Sequence, residues 1–395
     1  MTDAVGDGTT GRYLVLLEDD AADEGVRTMA RVAGIRTAST ADLAGDSVSL
    51  STGLDGLLLH ELGVAVITAG ADQADALNRS IMERGAIAGV ERERTVHAIA
   101  PAAPAVEPGA VDETTFTWGL QAVGAPDSPA TGAGVRLAVL DTGFDLEHPD
   151  FAGRVVQTRS FIEGEDIADG HGHGTHCIGT ACGPRDPDTG PGYGVAPEVE
   201  IYAGKVLSNA GSGSDGGILA GIAWAIMHGC AVVSMSLGAA VRPGDPHSPT
   251  FERVARRAVG KGTLIIAAAG NESRRSSGVI APIGHPANCP SIMAVGAVDV
   301  HNAVADFSSG SVDEERAVDL AGPGVDVHSS WPMPTRHRRI SGTSMATPHV
   351  AGVAALIAQQ HGARGWELWA RLGQSAIRLP LPSTDIGAGL VHAPR

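Results

Sequence analysis

Lysine is nearly absent from this sequence of 395 residues, since Lys205 and Lys261 are its only two examples and all other basic side chains are arginines. The formal net charge is −17. Proteins that recognise nucleic acid through its phosphates carry a basic surface, so this charge balance excludes nucleic acid as the main partner. A strongly acidic protein repels its own copies, and we therefore expect a monomer.

Long hydrophobic runs are also missing. No stretch is long enough to span a bilayer, so we expect no membrane partner. The first residues show no basic segment followed by an apolar run, which is the pattern of a secretory signal. We therefore expect a cytoplasmic protein, or a secreted one if a natural signal has been removed.

Cysteine is scarce, with four residues at Cys177, Cys182, Cys230 and Cys289. In a cytoplasmic chain these are free thiols by default, although their number would permit two disulfides.

Four regions follow one another along the chain. Residues 1–11 have the composition of a disordered tail, and residues 12–99 show the strand and helix rhythm of a small α+β unit. Residues 100–113 are rich in Pro and Ala, as in an exposed linker that proteases cut. In residues 114–395, short apolar runs alternate with helical patterns. This alternation predicts an α/β domain, a doubly wound and mostly parallel sheet with helices on both faces.

Ligands of such sheets bind at the carboxyl ends of the strands, and polar residues stand there. Asp141 directly follows an apolar strand, Asn271 follows another strand and a glycine, and Ser344 begins a helical pattern. Each has a plain structural interpretation, as a cap for Asp141 and Ser344 or a turn residue for Asn271. Each also suits chemistry, because Asp orients a histidine, Asn donates to an oxyanion and Ser at a helix start meets a substrate.

The segment DGHGHGTHCIGT, residues 169–180, contains three histidines and a cysteine. Its spacing permits a zinc site made of His171, His173 and His176, or a single histidine that acts as a base. The spacing alone leaves both interpretations open.

Five segments together resemble the signature blocks of subtilisin-like serine proteases: VLDTGFDLEHPD, HGTHCIGT, SMSLG, AAAGNES and GTSMATPHVAG. They occur in the order Asp, His, Ser that this family has. The resemblance covers residues 114–395, and the cysteine after the second histidine is similar to the proteinase K branch.

The resemblance implies a role for each matching residue. Ser344 is the nucleophile, His173 the general base, and Asp141 orients and stabilises the imidazole. Asn271 and the Ser344 amide form the oxyanion hole. His176 then belongs to the scaffold, His171 is expected to be exposed, and the zinc interpretation is disfavoured.

The resemblance also implies a cleft in which an extended substrate adds as a strand. One side of the cleft consists of Gly211, Ser212 and Gly213, and the other consists of Ser236, Leu237 and Gly238. The pocket for the first substrate residue upstream of the cut is lined by Ala268, Gly270 and Gly284. The fourth upstream residue is expected between Asp215, Ile218 and Leu237. Asp215 there either favours Arg or Lys or simply points into water.

Residues 12–99 resemble the family's inhibitor-type propeptide, a ferredoxin-like unit that assists folding and leaves its last strand in the cleft. The expected cut lies between Ala98 and Thr115. The family also implies a structural calcium ion, with Asp150 and Gln121 as candidate ligands, whereas the chemistry itself requires no cofactor.

The sequence thus predicts a serine endopeptidase that acts on protein or peptide substrates and is made as a self-inhibited zymogen. A transpeptidase or peptide cyclase on the same fold is an alternative, although the long insertion usual in such enzymes is missing. A catalytically silent binding protein is a second alternative, which is disfavoured because all four catalytic positions are filled.

Overall fold

The computed structural model describes residues 8–42, 53–83, 85–99, 111–312 and 316–395. The strands of the N-terminal unit form a sheet of order β5-β1-β4-β3-β2, antiparallel except for the β2–β3 pair. Two helices, α1 and α2, complete the predicted ferredoxin-like arrangement. The elements are β1 (Thr9–Leu17), α1 (Ala22–Ala33), β2 (Thr37–Ser39), β3 (Gly56–Leu59), β4 (Val64–Thr68), α2 (Ala71–Met82) and β5 (Ile87–Ala98).

Both faces of β1 are buried, which explains why its sequence shows no alternation of apolar and polar residues. Val15 and Leu17 lie in a core with residues of α1 and α2. Leu14 and Leu16 pack on the other face, in a core shared with the C-terminal domain. The strand begins at Thr9, so the predicted tail of residues 1–11 is too long; residues 1–7 lie outside the described residues.

The C-terminal domain has more elements than the sequence predicted. The sequence did not predict α3, β7, β13, β14, β15, β16, α8 and α9. Its elements are α3 (Trp118–Ala122), β6 (Arg136–Asp141), β7 (Val156–Ser160), α4 (His173–Cys182), β8 (Glu200–Lys205), β9 (Ser212–Ser214), α5 (Asp215–Met227), β10 (Val232–Met235), β11 (Leu237–Gly238), α6 (Pro249–Gly260), β12 (Leu264–Ala268), β13 (Met293–Val298), β14 (Leu320–Pro323), β15 (Val327–Trp331), β16 (Arg336–Ile340), α7 (Thr343–His361), α8 (Gly365–Ser375) and α9 (Ser383–Ile386).

The predicted α/β class is confirmed. The main sheet is parallel and has the order β14-β13-β12-β10-β6-β8-β7. Leu137 and Val139 of β6 pack on one face with α4 and α7, and Ala138 and Leu140 pack on the other with α5 and α6. The carboxyl ends of β6 and β12 therefore meet the first turns of α4 and α7 at one edge of the sheet.

The predicted linker, residues 100–113, extends too far toward the C-terminus. Residues 100–110 lie outside the described residues, but Glu113 accepts a hydrogen bond from the Trp118 N–H at 2.7 Å. Gln121 Nε2 donates to the Asp112 carbonyl at 2.7 Å. The C-terminal domain thus includes residues 112 and 113.

All four cysteines are buried free thiols. No helix in the described ranges combines the length and the apolarity that crossing a membrane requires.

Candidate active site

Asp141 and His173 meet where β6 ends and α4 begins. His173 Nδ1 donates to Asp141 Oδ1 at 2.8 Å, and the Thr142 N–H donates to the same oxygen at 2.7 Å. Both side chains are buried. Burial opposes the charged imidazole, but the adjacent Asp141 carboxylate outweighs it and raises the pKa of His173 well above its ordinary value. This geometry lets His173 hold a proton that it takes up at Nε2.

Ser344 is the second residue of α7, and its hydroxyl points at two carbonyl oxygens. Ser344 Oγ lies 3.2 Å from the Ser236 carbonyl oxygen and 3.3 Å from that of Ile99. His173 Nε2 is buried and has no hydrogen-bond partner in the described part of the chain. The serine hydroxyl is therefore directed at the end of the N-terminal unit and not at the histidine.

Asn271 stands beside the start of α7, after β12 and Gly270. Its Oδ1 accepts hydrogen bonds from the N–H and the Oγ1 of Thr343, both at 2.9 Å. A Cβ on Gly342 would lie 3.0 Å from Asn271 Nδ2, so a side chain at this position would displace the amide. The two bonds fix the orientation of the amide, whose Nδ2 is a potential hydrogen-bond donor beside the start of α7.

Strand β5 occupies a cleft between β9 and β11. Residues 95–97 pair with β9, and residues 97 and 98 pair with β11. The Ala98 N–H also donates to the Gly211 carbonyl at 2.8 Å. The structure thus brings the predicted cleft residues to both sides of residues 95–99: Gly211, Ser212, Gly213, Ser236, Leu237 and Gly238.

A pocket of about 280 Å³ opens beside Ile99. Ala268, Gly270 and Gly284 line it, as the resemblance implies for the first upstream residue, and Glu272 lies there as well. Its small lining residues leave room for an apolar side chain such as that of Ile99.

The surroundings of Asp215 differ from both expectations. Val96, the fourth residue counted back from Ile99, is fully buried in an apolar core with Ile218 and Leu237. Asp215 is also fully buried, and its Oδ1 accepts a hydrogen bond from His285 Nε2 at 2.9 Å. Asp215 therefore does not point into water, and its charge is not presented to the fourth residue.

The remaining histidines of the 169–180 segment have structural surroundings. His176 Nε2 lies 3.0 Å from the Val327 carbonyl oxygen, and burial lowers the pKa of His176 to about 3. His171 was expected to be exposed but is half-buried, with its ring 6.1 Å from that of His173. Burial first, and then His173, lower the pKa of His171. In the described ranges, His171, His173 and His176 form no group with metal-binding geometry.

Cys177 lies under the candidate base. Its Sγ is 3.8 Å from His173 Nδ1 and 3.6 Å from the Ser344 carbonyl oxygen. Burial raises the pKa of Cys177, so it remains a thiol.

Asp169 is a site residue that the sequence reasoning missed. Its buried carboxylate accepts hydrogen bonds from the Gly172 N–H at 2.7 Å, the Thr175 N–H at 2.8 Å and Thr142 Oγ1 at 2.8 Å. It thus joins the residue after Asp141 to the first turn of α4. An acidic residue shortly before a predicted helix could have revealed it, because the N-terminus of a helix favours negative charge.

The residues predicted to bind calcium have other partners. Asp150 Oδ1 accepts a hydrogen bond from Arg336 Nη2 at 2.7 Å, and Oδ2 accepts from Tyr193 and His337 at 2.7 Å each. Burial opposes ionisation of Asp150, but these bonds outweigh it and lower the pKa of the carboxyl. Gln121 Nε2 donates to backbone carbonyls. His148 and His337 lie with Asp150 in a group that could hold a metal ion, but their donors are nitrogens and calcium takes oxygen ligands. A cation at Asp150 would also displace a guanidinium, so these residues do not fit calcium.

Comparisons with known proteins agree with this geometry. The model of the subtilase family matches residues 132–378. Subtilisin DY of Bacillus licheniformis is 41% identical over 259 residues, which are 65% of this chain and 86% of that protein. Subtilisin Savinase of Lederbergia lenta is 40% identical over 282 residues, 70% of this chain and 96% of that protein. The chain therefore belongs to the subtilase family and is a serine endopeptidase that acts on proteins or peptides.

Proposed function

We propose that Asp141, His173 and Ser344 are the catalytic triad of this endopeptidase and that residues up to Ile99 are its intramolecular inhibitor. The observation that carries the proposal is the 3.3 Å distance between Ser344 Oγ and the Ile99 carbonyl oxygen, at the end of a strand paired on both sides. It makes the bond after Ile99 the first that the enzyme cuts.

The proposed roles of these three residues imply the following reaction. When the carbonyl of a substrate enters, Ser344 Oγ attacks its carbon and passes its proton to His173 Nε2. His173 then gives this proton to the leaving amine, so that the peptide bond breaks and an ester to Ser344 remains. Water hydrolyses the ester with His173 again as the base. Asp141 stabilises the imidazolium through Nδ1 in both steps.

The negative charge that develops on the substrate oxygen needs fixed donors. Asn271 Nδ2 and the Ser344 N–H suit this role, because Thr343 holds the amide of Asn271 and the first N–H groups of a helix have no partner within it. Donors that are already oriented stabilise the transition state without further reorganisation.

Self-inhibition is supported by contacts beyond the cleft. Arg257 of α6 donates to Asp19 and to the Leu62 carbonyl of the N-terminal unit. Leu14 and Leu16 bury apolar surface against the C-terminal domain. A cleaved unit therefore keeps a large interface and stays bound as a product.

The first test is the intact mass of the purified protein before and after a fluorophosphonate probe, with Ser344→Ala as the control. We expect the wild type to be cut after residue 99 and labelled once, and Ser344→Ala to stay full-length and unlabelled. A variant that is still cut or labelled contradicts the assignment of Ser344. Full-length wild type that is labelled only after limited trypsin digestion contradicts self-cleavage but not the triad.

We also propose that Asp150 is neutralised by Arg336, accepts a hydrogen bond from His337 and holds no calcium ion. The guanidinium supplies the positive charge and the hydrogen bonds that a cation would supply there.

A further inference from the structure

The register of β5 in the cleft assigns a position to each of its last residues. With Ile99 at Ser344, Val96 is the fourth residue upstream of the proposed cut, Thr95 the fifth and Arg94 the sixth. Thr95 pairs with Ser214, the last residue of β9. The next residue of the domain is Asp215, so Arg94 lies opposite Asp215.

Asp215 contacts the sixth residue in two ways. Its Oδ2 accepts a hydrogen bond from the Arg94 N–H at 3.0 Å and lies 3.7 Å from Arg94 Nη1. The first contact is available to any residue except proline. The second depends on a positive side chain, which makes Asp215 able to select among substrates.

Asp215 is held in place by residues of its own domain. It begins α5, where the helix dipole favours negative charge. His285 Nε2 donates to Oδ1, while His285 Nδ1 is buried without a partner in the described residues. This arrangement fits the tautomer with its proton on Nε2, because a buried N–H on Nδ1 without a partner would be expensive. The negative charge of the carboxylate thus remains for the substrate.

In the uncut chain Arg94 has a second acidic neighbour, Glu91 Oε2, at 3.5 Å. Glu91 belongs to the N-terminal unit and leaves with it. Asp215 and His285 belong to the C-terminal domain and remain after release. The mature enzyme therefore keeps the acidic group that faces the sixth position.

We propose that Asp215 forms a binding site for an arginine or lysine six residues upstream of the cut. The inference rests on the proposed function, because the cut position defines the count. It replaces the expectation of a cation at the fourth position, where Val96 lies among apolar residues. Successive side chains of a strand point to opposite faces, so a cation at the fifth position points away from Asp215.

The test uses the mature enzyme and peptides that copy residues 94–99 and end in a fluorogenic aminocoumarin amide. The sixth position carries Arg, Ala or Glu, and a further peptide carries Ala at the sixth position and Arg at the fifth. We expect kcat/KM to be about two- to fivefold higher for Arg than for Ala at the sixth position, the factor that a partly exposed ion pair gives. Glu should be disfavoured, and Arg at the fifth position should give no gain.

The Arg to Ala ratio should fall to about 1 in Asp215→Asn and in molar salt, because screening removes the ion pair. It should persist in Glu272→Gln, which removes a negative charge at the first pocket. A ratio is taken within one enzyme, so differences in folding yield cancel. If Asp215→Asn does not fold, the kcat/KM values of the wild-type enzyme for the peptide series, and their salt dependence, still test the inference.

Two results overturn the inference: a wild-type ratio of 1, or a ratio that survives in Asp215→Asn. Hydrolysis without a preference for Arg contradicts this inference alone. Absence of hydrolysis together with an unlabelled Ser344 contradicts the proposed function instead.

Discussion

Glu91 of β5 accepts hydrogen bonds from Ser248 Oγ at 2.8 Å and from the Thr250 N–H at 3.0 Å, at the first turn of α6. Two residues further on, Glu93 accepts from the Gly216 N–H of α5 at 2.9 Å and pairs with Arg12. Helix N-termini favour negative charge and carry N–H groups that need acceptors. The N-terminal unit thus supplies one carboxylate to each of two helices of the domain that it covers.

Replacing these carboxylates should shorten the inhibited state. We expect Glu91→Gln and Glu93→Gln each to weaken retention of the cleaved unit by about tenfold, since each change weakens charge-assisted hydrogen bonds. The measurement is the lag before a fluorogenic peptide is hydrolysed after self-cleavage. Glu24→Gln changes an exposed residue of α1 and should leave the lag as it is. An unchanged lag in both β5 variants would contradict a role for these contacts.

Asp169→Asn should lower kcat by about 10- to 100-fold with a smaller effect on KM. The amide has one oxygen in place of two, so it cannot accept from Gly172, Thr175 and Thr142 together, and a small displacement of His173 has a large effect on rate. The comparison is Asp166→Asn, an exposed carboxylate whose Oδ1 accepts from the Ala168 N–H at 3.0 Å. Equal kinetics for the two variants would show that Asp169 does not position the base.

Thermal stability should be insensitive to calcium at Asp150. We expect the same Tm in EDTA and in excess calcium, a lower Tm for Arg336→Met, and partial recovery in Arg336→Met combined with Asp150→Asn. The reason is that a buried carboxylate without its cation is costly, whereas a neutral amide at the same place is less so. A drop of Tm in EDTA that disappears in Asp150→Asn would instead locate an ion there.

Stability should fall with acid because of buried histidines. Burial lowers the pKa of His349 to about 4, that of His328 to about 4 and that of His176 to about 3. In the unfolded chain the pKa of a histidine is about 6.5. Between that pKa and the lower pKa of the folded state, the unfolded chain binds more protons, so the free energy of unfolding decreases as the pH falls. Each of these histidines should lower the free energy of unfolding by about 2 kcal/mol between pH 7.5 and pH 5.

His349→Gln isolates one share of this effect. We expect its unfolding free energy, from urea titrations, to change less between the two pH values than that of the wild type, by about 2 kcal/mol. His361→Gln alters an exposed residue of the same helix and serves as the reference. If both variants keep the wild-type pH dependence, His349 is not responsible for its share.

Local patterns were enough to predict the α/β class and several buried strands. The apolar runs that became β6, β8, β10 and β12 are long and continuous, because helices cover both faces of the sheet. Strand β2, with the sequence TAS, has no apolar run, and the run of β3, GLLL, contains only three leucines. The predicted end of the tail at residue 11 was wrong. Thr9 and Thr10 belong to β1 because of strand pairing, and their side chains give no hydrophobic signal in the sequence.

For the candidate site too, some features could be predicted from the sequence and others could not. Asp141, His173, Ser344 and Asn271 stand in short motifs, so the sequence could propose them as site residues, and the structure brings them to one edge of the sheet. The partners of Asp150 and Asp215 could not be named, because Arg336 and His285 are distant in sequence and only the fold makes them neighbours. The monomeric state and the location of the protein stay predictions.

Strand β5 is hydrogen-bonded to β1 inside its own unit and to β9 and β11 in the cleft. One continuous strand therefore completes the folded unit with residues 87–94 and blocks the enzyme with residues 95–98. Loss of structure in the N-terminal unit withdraws the blocking strand in the same event, so the duration of inhibition is set by how fast this unit unfolds or is digested. Substitutions in the core around Val15 and Met29, far from any catalytic atom, should therefore change the time that the enzyme takes to become active.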